Sequence, residues 1–161
     1  MSKDRAFDSL DGVDRTLLGL LQDDGTLSSA ALGERLSMSV TPCWRRRKRL
    51  EELGIIRDYQ ANLDRRKLGY DVLAFAQVRF GKVSDNAPDE FERAVLGLPQ
   101  VLTCHKVTGE ADYMLTVVAT DLESYGRFVE EVLRRQPGIV SIQSSLALRE
   151  LKAVTRLPVP Q

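Results

Sequence analysis

Between Ser28 and Ile56 the chain places two short helical repeats on either side of a tight break, and the second repeat carries five consecutive cations, Arg45-Arg46-Arg47-Lys48-Arg49. Ser28 suits an N-cap, and Ala31, Leu32 and Leu36 recur at helical spacing until Ser37-Met38-Ser39 interrupts the pattern. Thr41 is expected to cap the second helix, with Pro42 at its first position, where the missing N–H costs nothing. That helix runs through Leu50 and Leu53 to Gly54, a residue suited to a left-handed helix end. Two helices about a short turn, the second basic, form a helix-turn-helix over about residues 27–46, a motif that sets its second helix into the major groove of double-stranded DNA.

At 100° per residue the second helix separates two faces. Cys43, Leu50 and Leu53 are expected inward, and Thr41, Arg45, Lys48 and Glu52 outward. Arg45 and Lys48 are the groove candidates, while Arg46 and Arg49 flank the apolar stripe and suit phosphate contacts. Trp44 either closes the small core, the commoner fate of a large aromatic, or touches sugar and base edges. With Ser39 and Thr41 at the helix start, the DNA-contacting set is Ser39, Thr41, Trp44, Arg45, Arg46, Lys48 and Arg49. A solvated face usually mixes charge signs, but no acid lies between Thr41 and Leu50. Total charge is silent on this point: 23 cations meet 23 acids in the chain, and residues 1–60 balance at 10 and 10.

Upstream, Leu10-Asp11-Gly12-Val13-Asp14 opens a third helix whose Val13, Leu17, Leu18, Leu20 and Leu21 supply an apolar face, and Asp23-Asp24-Gly25 ends it. Residues 55–64 read as a short strand and residues 65–70 as a connector, which sets a DNA-binding unit at 1–64 apart from a second unit at 71–161. Within that second unit a strand, a helix and a strand occur twice. Val72, Ala74, Ala76, Val78 and Phe80 alternate; Phe91, Ala94, Val95 and Leu98 face inward from a helix over 88–97; a strand follows at 101–108. The second copy has a strand at 113–119, an Asp121-capped helix with Leu122, Tyr125, Phe128, Val129, Val132 and Leu133 inward, and a strand at 139–148. The fold class is therefore α+β: a helix-turn-helix followed by a ferredoxin-like βαββαβ unit with both helices on one sheet face. The other face, expected to carry Leu73, Phe75, Tyr113 or Leu115, needs a partner, and a second copy of the chain supplies one, giving a homodimer.

A chain of 161 residues with 43% hydrophobic and 29% charged content holds two small domains. No apolar run is long enough for a membrane span, and the polar first ten residues do not resemble a signal peptide, so a cytoplasmic protein is expected. Cys43 and Cys104 read as buried or half-buried thiols. An enzyme is not expected, because Cys104, His105 and scattered carboxylates lack an orienting third group. His105, the only histidine, has no neighbour at metal-ligand spacing, so neither a metal nor a cofactor is expected.

Five stretches in order resemble the leucine-responsive and asparagine-responsive (Lrp/AsnC) regulators over nearly the whole chain. They are Leu10-Asp11, Thr41-Pro42-Cys43 with the arginines after it, Arg49-Leu50-Glu51-Glu52-Leu53-Gly54-Ile55-Ile56, the connector from Leu63-Asp64 to Leu68-Gly69, and Cys104 through Tyr113. The resemblance implies a transcriptional regulator of amino-acid metabolism with an N-terminal winged helix-turn-helix over residues 1–64, which dimerises, often assembles into octamers, and binds an amino-acid effector. The chain departs from the family at Arg47, where an apolar residue is usual on the inward stripe; its guanidinium must reach the edge, pair with an acid such as Glu51, or shift the helix. For the effector, Thr108-Gly109-Glu110-Ala111-Asp112 offers turn N–H groups to a carboxylate and Glu110 or Asp112 to an ammonium. On residue chemistry alone a plain strand connection with solvated acids is the favoured reading. The resemblance implies the effector site, Thr108, Gly109, Glu110 and Asp112, and adds Ser144, where the family often has a hydroxyl near its ligand. A ligand-independent architectural DNA-binding protein is the alternative.

Overall fold

Asp11 and Asp14 start the first helix as a reciprocal pair. In the computed structural model, which describes residues 9–81, 87–153 and 156–160, Asp11 caps α1 (Gly12–Asp23) by accepting from the Asp14 N–H at 2.8 Å, and Asp14 accepts in return from the Asp11 N–H at 3.2 Å. Residues 1–8 of the expected first unit lie outside the described residues. Ser28 caps α2 (Ser29–Arg35), as expected, through the Ala31 N–H. The turn after α2 closes because residue 33 is glycine: a Cβ there would come within 2.7 Å of the Met38 carbonyl oxygen. Ser37 takes up the left-handed conformation, φ 53°, and Met38 N–H returns to the Gly33 carbonyl.

Helix α3 (Val40–Glu52) begins earlier than expected. Ser39, not Thr41, is the N-cap residue, with extended backbone and no capping bond from its side chain. Pro42 is tolerated at the third helical position because first-turn N–H groups have no intrahelical acceptor in any case. At the other end Gly54, φ 68°, lets Ile55 N–H reach the Leu50 carbonyl and its own N–H reach that of Glu51. Leu10, Leu17, Leu21, Leu27, Leu32, Cys43 and Leu50 form the core of this unit, with Ile55 and Ile56 packed against it. Leu53 departs from its expected inward place and is exposed, since the helix has already turned into its C-cap there. The strand expected over 55–64 does not form among the described residues: these residues have no ladder partner, and Tyr59 instead hydrogen-bonds back to Glu51 of α3. The tail also departs from the expected 71–161 unit. It belongs with the helical unit, where Leu157 exchanges two hydrogen bonds with the Gln22 side chain and Arg156 pairs with Asp23.

The second unit, spanning residues 63–152, follows the expected βαββαβ order: β1 (Val72–Phe80), α4 (Ala87–Leu96), β2 (Val101–Lys106), β3 (Tyr113–Ala119), α5 (Leu122–Phe128) and β4 (Ile139–Leu146). The strands pair antiparallel in the order β2-β3-β1-β4. Period-two alternation buries Ala74, Ala76 and Val78 of β1 with Tyr113, Leu115 and Val117 of β3 beneath Phe91 and Val95 of α4 and Tyr125, Phe128 and Leu133. Tyr113 and Leu115 were expected on the open face and lie instead on the helix-covered one. Leu73, Phe75, Met114 and Val118, one residue out of phase, fall on the open side. Beyond Phe128 the helix widens into a π turn over Val129–Leu133, with Arg134 N–H reaching the Val129 carbonyl, and the extra residue brings Leu133 fully into the core. Leu122, at the exposed helix start, is outside that core. Cys43 is buried, whereas Cys104, on edge strand β2, is exposed. Among the described residues no helix is long and apolar enough to cross a membrane, and no three His, Cys, Asp or Glu side chains are grouped to hold a metal.

Candidate DNA interface and effector cleft

Helix α3 buries Cys43 and Leu50 and turns Thr41, Trp44, Arg45, Lys48 and Glu52 outward, all exposed. Trp44 is 53% exposed, so it closes no core and stands beside Arg45 and Lys48 on the same ridge. Ser39 lies exposed at the helix start.

Arg46 and Arg49 have a different environment from the one their sequence position implies. Acids from α1 supply the compensation that α3 lacks. The Arg46 guanidinium donates to Asp14 Oδ1 at 2.8 Å and Asp11 Oδ2 at 2.6 Å, and Arg49 donates to Asp14 Oδ2. The Asp14 side chain is wholly buried. The Asp14 N–H and then the Arg46 guanidinium hold the Asp11 carboxyl below the usual carboxylate range, while the two carboxylates, Asp14 first, raise Arg46 still further above its ordinary value. On the other flank Arg47 reaches the edge, as its inward position requires. It pairs with Glu51 at 3.2 Å, donates to the Leu27 carbonyl at 3.0 Å and lies 4.6 Å from the centre of the Tyr59 ring. Sequence reasoning missed Asp14, whose role shows only when α1 meets α3, although its acid at the third position of a capped helix was legible.

In the sheet unit an open cleft of about 570 Å³ is lined by Gln77, Lys106, Val107, Thr108, Glu110, Ala111 and Met114. It gathers Thr108 and Glu110 from the expected effector set, with Gly109 at the exposed tip of the same turn, φ 119°. Asp112 is occupied otherwise: its carboxylate accepts the Phe80 N–H at 2.7 Å and its own N–H donates to the Val78 carbonyl, which ties the turn to β1. Ser144 is not brought to this turn. It lies on β4, at the opposite sheet edge from β2, on the helix-covered side, where it hydrogen-bonds the Tyr125 hydroxyl at 2.6 Å. Gln77, Lys106 and Met114 were not legible as cleft residues, because strand pairing rather than sequence proximity assembles them. Beside the cleft, Tyr113 donates to Glu92 at 2.5 Å and Lys106 stands 3.6 Å from the same carboxylate, so the Glu92 pKa falls; burial, then the Glu92 contact, raises that of Tyr113.

A helix-turn-helix with an outward cationic ridge, joined to a βαββαβ unit with a cleft at one end of its sheet, defines a DNA-binding transcriptional regulator. Residues 10–57 match the winged helix-turn-helix DNA-binding family, and residues 73–157 match the Lrp/AsnC ligand binding domain. The chain is 38% identical over 150 residues to the DNA-binding transcriptional activator DecR of Escherichia coli, covering 93% of this chain and 99% of that one. It is 34% identical over 158 residues to the leucine-responsive regulatory protein of the same organism, covering 98% and 96%. The fold is similar to that of a Neisseria meningitidis transcriptional regulator solved with L-methionine, with a TM-score of 0.90 and 38% identity over 94% of this chain and 97% of that one. The chain belongs to the Lrp/AsnC family of transcriptional regulators.

Proposed function

We propose that this regulator reads double-stranded DNA with the outward ridge of α3, Trp44, Arg45 and Lys48, with Ser39 and Thr41 at the helix start contacting backbone phosphate, and that an amino acid bound in the cleft of the sheet unit alters its assembly or its grip on DNA. The observation that carries the DNA reading is the division of α3: three of its arginines are bound within the helical unit, while Arg45 and Lys48 stand exposed with Trp44 on one ridge. The turn N–H groups suit the effector carboxylate, Glu110 its ammonium, and Val107, Ala111 and Met114 an apolar side chain. The relative solved with L-methionine supports an amino acid of that kind. The working form is a homodimer joined through the open sheet face, able to assemble further to an octamer, in the cytoplasm where the DNA is. It carries no catalytic activity.

Gel-shift titration tests the first part: Arg45→Ala and Lys48→Ala each lose about 1–3 kcal/mol of specific binding if they contact bases, and Arg65→Ala does not. A thermal-shift screen across the amino acids tests the second. A ligand at a hundredfold its Kd adds about 2.7 kcal/mol of stability, an increment that Glu110→Ala removes. No shift with any amino acid leaves a ligand-independent DNA-binding protein.

A further inference from the structure

We infer that Asp14 is a positioning residue for DNA recognition: from within the core it withholds Arg46 and Arg49 from phosphate and fixes the rotation of α3, so that the outward ridge alone meets DNA. This rests on the reading that α3 lies on DNA. Taking Cys43 as the inward direction and 100° per residue, Arg46 and Arg49 fall about 60° and 120° to one side, Arg47 about 40° to the other, and Trp44, Lys48, Thr41 and Arg45 about 100–200° away. The two flanks of the inward stripe are therefore gripped by different groups. Asp14 receives Arg46 on one carboxylate oxygen and Arg49 with the Asp11 N–H on the other, while the Leu27 carbonyl, Glu51 and the Tyr59 ring receive Arg47.

Apolar contacts through Cys43 and Leu50 resist withdrawal of α3 but only weakly resist its rolling, since neither side chain is directional. Charge-assisted hydrogen bonds to a fixed carboxylate do resist rolling. An arginine leaving Asp14 for a solvent-exposed phosphate weakens the pairing of a fully buried charge, an exchange that favours the pair already formed. Five cations in sequence thus reduce to two that face outward unpaired with α1.

Salt dependence distinguishes these roles, because each phosphate contact contributes about 0.9 to the slope of log K against log salt. Full-length protein is titrated with a mixed-sequence duplex and with a duplex that the wild type selects from a random pool. Arg45→Gln and Lys48→Gln, which lose base contacts, are expected to reduce the preference for the selected duplex by about tenfold each, and Arg46→Gln and Arg49→Gln to leave the slope unchanged. Asp14→Asn is expected to steepen it, because the arginines it loosens reach phosphate, and to reduce the preference for the selected duplex by about tenfold. Flattening by about 0.9 in Arg46→Gln or Arg49→Gln overturns the inference. If Asp14→Asn does not fold, as circular dichroism reads directly, the two arginine slopes decide alone. If Arg45→Gln and Lys48→Gln leave the preference for the selected duplex unchanged, the placement of α3 on DNA fails and the inference falls with it.

Discussion

At position 47 an arginine occupies an inward flank that packing alone would fill with an apolar side chain, and three separate partners make this tolerable. The guanidinium finds Glu51, the Leu27 carbonyl and the Tyr59 ring. Arg47→Ala leaves the Leu27 carbonyl without that donor and releases Tyr59, so urea denaturation should show a loss of about 1–2 kcal/mol. An unchanged midpoint would mean that water replaces the guanidinium at no cost. Ser144 makes the complementary case. Its hydroxyl is paired with Tyr125 between β4 and α5, away from the turn that lines the cleft. Ser144→Ala should cost about 1 kcal/mol and leave amino-acid binding unaltered by calorimetry; a lost ligand signal with intact stability would return Ser144 to the effector site.

Helix ends explain both what tunes stability at the level of the element and what the sequence concealed. Ser37 closes α2 at φ 53°, where a side chain costs about 1–2 kcal/mol, so Ser37→Gly relieves strain partly offset by about 0.5–1 kcal/mol of added chain entropy. The expected net gain, about 0.5 kcal/mol, is read as a raised denaturation midpoint. Asp11 and Asp121 cap α1 and α5 with carboxyls held below their ordinary range, chiefly by the backbone N–H groups of Asp14 and Ser124. Because each folded pKa is depressed, the folded state binds fewer protons than the unfolded chain. The caps therefore contribute in full above the ordinary value of about 3.9 and are lost as pH falls through the lowered ones. A melting temperature that drops below pH 4, with a smaller drop in Asp11→Asn, is the expected outcome. Caps and alternation were legible: Ser28, Gly54, Asp121 and the β3 limits at Tyr113 and Ala119 stand where spacing places them. The cap at Thr41 misled because Pro42 fits any position of a first turn, and the strand at 55–64 because alternation cannot say whether an edge exists to pair with it. The inserted π turn has no signal in a 3.6-residue period, although Leu133, which it carries into the core, was expected inward. Thr108 and Glu110 were readable as a turn, but Gln77 and Met114 join them only through the pairing of β1 with β3.

For the whole molecule, the proposed dimer through the open sheet face would link assembly to DNA binding. Leu73, Phe75, Met114 and Val118 share that face, opposite the side that α4 and α5 cover, and Phe75 is 40% exposed, a costly state for an aromatic in the centre of a sheet. Covering it with the same face of a second copy gives a two-fold dimer, which carries two α3 ridges and suits two half-sites one helical turn, roughly 34 Å, or a multiple apart. The second ridge then binds as an intramolecular event, and the gain from such linkage is on the order of 10²–10⁴ in affinity without a new contact to DNA. Phe75→Asp buries a charge in that interface while leaving the helix-covered core untouched, so the variant should remain folded and scatter light as a monomer. Its affinity for a palindromic duplex should fall toward that of the wild type for a single half-site, whereas its affinity for the half-site itself should hold. Scattering and gel-shift titration on the same samples decide between the mechanisms. A monomer that still binds the palindrome at full strength would mean that the two ridges act independently, and a dimer that survives the substitution would move the interface to another face.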